Sequence, residues 1–135
     1  MGFNVRLLAT GMWACLLSGQ SAVSDTEVKP LYFEQISYPT EARITHVQGV
    51  VVVRVDLDDE GKVVSANPVY GAKSLLPDCL ANAKKWRFEP NKHKQAVIVY
   101  DFRIAGLCST PCPSQFLFEP PNHAVITAGE RVVEP

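Results

Sequence analysis

Hydrophobic and polar residues alternate along GVVVVRVDL, residues 49–57. A period of two is the spacing of a β-strand, so this stretch predicts a strand with one buried face. The buried face would carry Val51, Val53, Val55 and Leu57, and the outward face Arg54 and Asp56.

A hairpin is predicted to follow this strand. The acidic turn after it contains Gly61, which tolerates a positive φ, and VVSANPVY then predicts the returning strand. Pro68 lacks an N–H, so we expect an edge position or a bulge there.

Two helices are predicted. Pro39 suits the first position of a short helix that ends before Gly49. The second helix is expected to have Ser74 as its N-cap and Pro77 in its first turn, and to stop at Pro90. Its apolar stripe at helical spacing would be Leu76, Leu80, Ala83 and Trp86.

A third strand is predicted over Ala96 to Ile104, again with period-two alternation. Its apolar face would be Ile98, Tyr100, Phe102 and Ile104, with Asp101 and Arg103 facing away.

These elements predict an α+β fold, a two-layer sandwich of a three-stranded antiparallel sheet with helices on one face. A short β-like tail follows, in which QFLF and HAVIT are two candidate strands separated by EPPN. The expected organisation is a signal peptide (1–24), an extended lead-in (25–37), the domain (38–106) and a Cys/Pro-rich C-terminal extension (107–135).

Composition narrows the class of protein. The 135 residues suffice for one modest domain, and 47% hydrophobic with 20% charged residues is typical of a globular chain. The net charge of −1 provides no basic field, so no nucleic-acid partner is expected.

The N-terminus predicts export. Arg6 precedes an apolar run from Leu7 to Leu17, and Ala22-Val23-Ser24 is a suitable cleavage site. The run is shorter than the ~20 residues that a membrane-spanning helix needs. We therefore expect a cleaved signal peptide and a periplasmic protein, with an inner-membrane anchor as the alternative.

Cysteine content fits an oxidising compartment. Removing the signal peptide removes Cys15 and leaves Cys79, Cys108 and Cys112 as disulfide candidates. Cys108 and Cys112 are closest in sequence, whereas a bridge from Cys79 would tie the helix to the tail. Sequence alone leaves the pairing open, and a zinc site of these cysteines with His123 is a weaker alternative.

No catalytic pattern is present in the sequence. His46, His93 and His123 are far apart, and no nucleophile elbow, phosphate loop or metal-ligand spacing occurs. We expect no enzyme, cofactor, metal or small-molecule substrate.

The ordered motifs resemble a known family. They are the Tyr-Pro pair at Tyr38, Gly49 before the valine-rich strand, DEGKVVSA, and A..WRF.P from Ala83 to Pro90. In this order and spacing they are similar to the C-terminal domain of TonB, the periplasmic energy transducer of Gram-negative bacteria, over Tyr38 to Ile104.

The resemblance implies a binding function. In that family the domain docks on TonB-dependent outer-membrane transporters, and an extended transporter peptide, the TonB box, pairs with the edge of the third strand by β-augmentation. Carried over, the docking strand would be Ala96 to Ile104. The partner-binding residues would then be Tyr38, Pro39, Val97, Val99, Asp101 and Arg103.

Force transduction by this chain alone is not expected. The family's transducers carry a transmembrane helix and a long Pro-rich spacer, whereas the segment before this domain is predicted to be a short cleaved signal. The expected function is therefore partner binding without force transduction, and the partner would be a transporter or another envelope protein. The alternative is a structural or self-associating envelope protein, and a homodimer is conceivable. In either case the tail would cap or regulate the docking edge, because an open edge is an aggregation hazard.

Trp86 has two interpretations. As a core residue it would plug the space between helix and sheet, and as an interface residue it would anchor a partner. The core is favoured because Phe88 and Pro90 continue the same apolar seam. The predicted structural residues are Gly49, Gly61, Trp86, Phe88 and Pro90.

Overall fold

The structure is a computed structural model that describes residues 28–109 and 111–131. The predicted signal peptide lies outside the described residues. Within them, neither helix has the length and apolar character that crossing a membrane requires. The elements are β1 (Pro30–Tyr32), α1 (Thr40–Ile44), β2 (Gly49–Leu57), β3 (Val63–Tyr70), α2 (Leu76–Ala83), β4 (Arg87–Phe88), β5 (Gln95–Cys108), β6 (Gln115–Glu119) and β7 (His123–Arg131).

The main sheet has five strands in the order β3-β2-β5-β7-β6. β2 pairs antiparallel with β3 and with β5, β7 runs parallel to β5, and β6 is antiparallel to β7. β1 and β4 form a separate two-stranded sheet.

The α+β class is confirmed, but the expected three-stranded antiparallel sheet is wrong. The two candidate strands of the tail do form, as β6 and β7, and they join the sheet next to β5. β7 lies between β5 and β6 in the sheet, so the chain leaves the end of β5, passes over to form β6, and then returns as β7. β7 therefore runs parallel to β5, which makes the sheet mixed. β6 and β7 are therefore strands of the same sheet as β5.

Alternation along β2 and β5 builds the core as the sequence predicts. Val53, Val55, Ile98 and Tyr100 have no exposed surface, whereas Arg54 is exposed. β7 continues the same inner face. Its buried residues there are Ala124, Ile126 and Ala128.

Strand β3 lies at one edge of the sheet, as Pro68 predicts. The register between β2 and β3 shifts at two places, which gives this edge an irregular ladder. Irregularity of this kind blunts an edge against pairing with another chain.

Trp86 lies in the core at 1% exposure, on a polar centre beneath α2. Its Nε1–H donates to Oδ1 of Asn82 at 2.8 Å, and the hydroxyl of Tyr100 donates to the same oxygen at 2.8 Å. The amide nitrogen of Asn82 donates to the carbonyl of Glu34 at 2.9 Å. One buried amide thus joins α2, β5 and the lead-in, and burial raises the pKa of Tyr100 well above its usual value.

The start of α2 differs from the expectation. The N-cap is Leu75 and no side chain caps the helix, whereas Ser74 was predicted in that position. Leu75 is fully buried, so packing rather than a capping hydrogen bond fixes this end.

Gly61 is required by a close approach of two backbone segments. Its φ is +87°, and an added Cβ would collide with the carbonyl oxygen of Phe88. The N–H of Phe88 donates to the carbonyl of Gly61 at 2.9 Å, which ties the hairpin turn to β4. The contact joins two backbone segments, so no L side chain fits at this position.

Replacing Asn82 tests this polar centre. Asn82→Ala leaves the Trp86 N–H and the Tyr100 hydroxyl buried without an acceptor, so the free energy of unfolding should fall by about 2–4 kcal/mol. Urea denaturation followed by tryptophan fluorescence measures the change. The control is Asn91→Ala, whose amide makes only long hydrogen bonds of 3.3 and 3.5 Å, and a loss below about 0.5 kcal/mol is expected there. Equal losses in the two variants would contradict the role given to Asn82.

Candidate functional site

The edge of β5 that faces away from β2 is covered by the chain's own C-terminus. β7 pairs with it at eight positions, from Val99 opposite His123 to Cys108 opposite Arg131. Asn122 extends this cover, because its amide donates to the carbonyl of Val97 at 2.7 Å and its own carbonyl accepts from the N–H of Val99 at 3.0 Å. Backbone groups of β5 that an incoming strand would use are therefore already occupied.

Aromatic packing anchors β6 and β7, here called the C-terminal hairpin (115–131), to the rest of the domain. Phe33 in the lead-in stacks on Phe118 at 4.4 Å and on Phe116 at 5.9 Å between ring centroids. Trp86 meets Phe118 edge-on at 6.0 Å. Removing the hairpin would expose these rings as well as the edge of β5.

A disulfide closes the chain where it leaves β5. Cys108 and Cys112 are bonded, with 5.8 Å between their Cα atoms. Cys79 is not a disulfide partner, because it is free and buried on the inner face of α2, where desolvation raises the pKa of its thiol. The zinc alternative is also wrong, since the bond consumes two of its three sulfur ligands.

Arg43 of α1 binds the same region from the other side. Its guanidinium donates to the carbonyl of Cys112 at 2.7 Å and to the carbonyl of Gly129 at 2.9 Å, and it lies 2.6 Å from Sγ of Cys112. A single cation therefore links α1, the disulfide and the end of β7.

The absence of a side chain at Gly129 leaves room for the disulfide against β7. A Cβ at this position would lie 2.7 Å from Sγ of Cys108 and 3.0 Å from its Cβ. Such distances are below van der Waals contact, so the sulfurs rest directly on the backbone of β7.

The predicted partner-binding residues fall on two different sides of the sheet. Val97, Val99, Asp101 and Arg103 project from its outer face, opposite to the buried residues with which they alternate. Tyr38 and Pro39 are buried on the inner side. The two groups form no continuous side-chain surface, and their role in binding stays a prediction.

Asp101 and Arg103 form an ion pair on the outer face. The guanidinium donates to Oδ2 of Asp101 at 2.6 Å, and this hydrogen bond with its charge raises the pKa of Arg103. Nε2 of His123 lies 3.9 Å from the same oxygen. The Asp101 side chain is 15% exposed, so the outer face carries a half-buried carboxylate beside the paired edge.

Tyr38 links the lead-in to the tail. Its ring packs edge-on against Phe102 at 5.2 Å, and its hydroxyl donates to the carbonyl of Val47. Its backbone N–H donates to Oγ of Ser114 at 3.0 Å, immediately before β6. The residue predicted to lie near a docking site thus contacts the segment that covers it.

A cleft of about 390 Å³ opens beside the disulfide. Ile44 and Ile104 give it apolar walls, and a polar contact between Nε2 of His46 and Oε1 of Glu130 at 3.2 Å lies at its rim. Among the described residues, no group of three or more His, Cys, Asp or Glu side chains is arranged to hold a metal ion. The chemistry that this region offers is hydrogen bonding along strand edges, with apolar contacts beside them.

Comparison with known families finds a family model that matches this chain. The family model of the Gram-negative bacterial TonB protein C-terminal matches residues 34–104, about half of the chain. The chain belongs to this family. The family is a non-catalytic protein-interaction domain of the Gram-negative envelope. No curated protein and no solved structure matched the chain in the same comparisons.

The TonB match ends within β5. It includes β2, β3, α2 and most of β5, and it ends at residue 104, before β6 and β7. The C-terminal hairpin therefore lies outside the matched residues and pairs beside β5. Sequence reasoning identified β6 and β7 as strands and missed Asn122 and Arg43, because no local pattern reveals contacts to residues 25 and 69 positions away.

Gly129→Ala tests the packing of the disulfide on β7. The new methyl group would have to displace Cys108 or β7, so the free energy of unfolding of the oxidised protein should fall by about 1–3 kcal/mol. Thermal unfolding under oxidising conditions measures it. In the background C108S/C112S, which has no bonded sulfur pair, the penalty should shrink to less than half. An equal penalty in both backgrounds would contradict this packing.

Proposed function

We propose that this chain is a periplasmic protein-binding module of the TonB C-terminal type that docks extended segments of TonB-dependent outer-membrane transporters by strand addition to β5. Its C-terminal hairpin occupies the docking edge until a partner displaces it. The observation that carries the proposal is the parallel pairing of β7 along β5, on the strand that corresponds to the family's docking strand.

The geometry of β5 supports strand addition as the mode of binding. Strand addition needs backbone donors and acceptors in register, and β7 uses such groups from Val99 to Cys108. A strand of unrelated sequence with the same alternation can use the same ladder, because backbone pairing gives affinity and side chains give register. β7 therefore acts as an internal occupant of the site.

Displacement of β7 by a partner strand requires specific contacts to be broken. A partner strand has to replace the β7 ladder and the two hydrogen bonds of Asn122. It also has to separate Phe116 and Phe118 from Phe33, or leave the hairpin attached by these rings alone. We expect weak binding to the intact protein and stronger binding when β7 is destabilised.

Val125→Pro tests this competition. β7 is paired on both sides, so proline at position 125 removes a ladder hydrogen bond whichever way its N–H points. Affinity for synthetic peptides that copy the periplasmic N-terminal segments of TonB-dependent transporters should rise at least about tenfold, which corresponds to ~1.4 kcal/mol. Fluorescence anisotropy with labelled peptides measures it.

The matched control is Val125→Ala, which keeps the N–H and should bind as the unmodified protein does. Peptide binding that is equal in all three proteins would place docking away from β5. Absence of binding to all three, across the peptide panel, would refute the docking function.

A structural or self-associating role is the second candidate, favoured by the burial of hairpin residues such as Ile126 in the core. In that role the hairpin would be a permanent cover. The free edges of the main sheet in the described chain would then be β3 and β6. Sedimentation equilibrium separates the candidates, because a self-associating protein forms dimers at micromolar concentration without peptide, whereas a docking module stays monomeric.

A further inference from the structure

We propose that the Cys108–Cys112 disulfide is a redox latch that decides whether the C-terminal hairpin can leave β5. The latch itself is a property of this chain, and its consequence for partner binding rests on the function proposed above. Reduction would release the hairpin and oxidation would hold it in place.

Strand order gives the disulfide this position. β5 and β6 lie on opposite sides of β7, so the chain has to cross β7 between Cys108 and Gln115. The crossing spans two strand spacings, about 9.5 Å. The bond fixes Cys112 at 5.8 Å from Cys108 between Cα atoms, which holds the start of the crossing against the end of β5.

Packing and hydrogen bonds both hold β7 near Gly129. Gly129 packs under the sulfur of Cys108, and Arg43 donates to the carbonyls of Cys112 and Gly129. Separation of β7 from β5 breaks these contacts in either redox state. The intact bond fixes the crossing segment at the end of β5 and so keeps the contact partners of Gly129 and Arg43 in place, and cleavage removes that constraint.

The two sulfurs are suited to reduction by a dithiol. Cys112 is 8% exposed and Cys108 is the more accessible of the pair. A thiolate of the reductant attacks Sγ of Cys108, forms a mixed disulfide, and displaces Cys112 as a thiolate. The second thiolate of the reductant then attacks the reductant sulfur that is bonded to Cys108, and it displaces Cys108 as a thiolate. Two electrons pass from the dithiol to the protein, the reductant becomes a disulfide, and the two protein thiolates take up two protons.

Arg43 favours the first step. Its guanidinium lies 2.6 Å from Sγ of Cys112 and 3.6 Å from Sγ of Cys108. A cation beside a sulfur stabilises the negative charge that develops when that sulfur departs. The arrangement thus provides a partly exposed cysteine to be attacked and a charge-stabilised sulfur to leave.

Hydrogen–deuterium exchange of the full chain tests the latch. Oxidised protein is compared with protein reduced by dithiothreitol, and mass spectrometry after alkylation verifies that two thiols have been gained. Closing a loop this short corresponds to about a 30-fold change in equilibrium in the chain-entropy description. Amides of β7, residues 123–131, should therefore exchange at least about tenfold faster in the reduced protein, whereas amides of β2 keep their rates.

The double variant C108S/C112S is the matched control. It should show the fast exchange of β7 with or without dithiothreitol, since Cys79 is already a buried thiol. Unchanged β7 exchange after verified reduction would overturn the proposal. So would equal acceleration in β2 and β7, because the disulfide would then stabilise the whole domain rather than latch one hairpin.

Failure of the latch and failure of the docking function give different results. Exchange is measured without a partner, so faster β7 exchange with no peptide binding would refute docking and leave the latch. Tighter peptide binding by Val125→Pro with no redox effect on β7 would do the reverse. Peptide affinity that rises at least about tenfold on reduction, and is insensitive to reductant in C108S/C112S, is expected when both proposals hold.

Discussion

The ladder between β5 and β7 is the interaction on which the rest of this molecule depends. A half-buried strand carries backbone donors and acceptors along both edges, and those away from water need partners. β2 satisfies one edge of β5 and the chain's own last strand satisfies the other. Once β7 takes this place, the crossing of the chain, the position of the disulfide and the backbone contact at Gly129 all follow from the need to reach β6 on its far side.

The same ladder extends the core past the end of the family match. The match ends at residue 104, whereas Ile126 and Phe118 pack with Trp86 and Phe33 in one continuous apolar layer. Shared burial stabilises the C-terminal hairpin, while its contacts to the rest of the domain are concentrated on one strand edge and one aromatic stack.

Period-two alternation was sufficient to predict β2 and β5 and the face that each one buries, since that pattern reports directly on which side chains avoid water. The turn residues around them indicated β3 and the candidate strands β6 and β7. The sequence could not predict the order of β6 and β7, because sheet order depends on which edge a strand finds, and QFLF and HAVIT carry no signal for it. Cys79 illustrates the same limit: its residue type suggests a bridge, but only the tertiary structure shows it buried on the inner face of α2. The site residues Arg43 and Asn122 act through backbone carbonyls, which no sequence motif records.

Pairing of β7 also determines when the far edge of β5 is closed. β5 ends at residue 108 and β7 ends at residue 131, so the chain has to fold back before this edge is paired. Until then the edge offers its unpaired donors and acceptors to any strand that reaches it, a neighbour's as well as its own. The fold therefore leaves β5 an acceptor until its own last strand has paired.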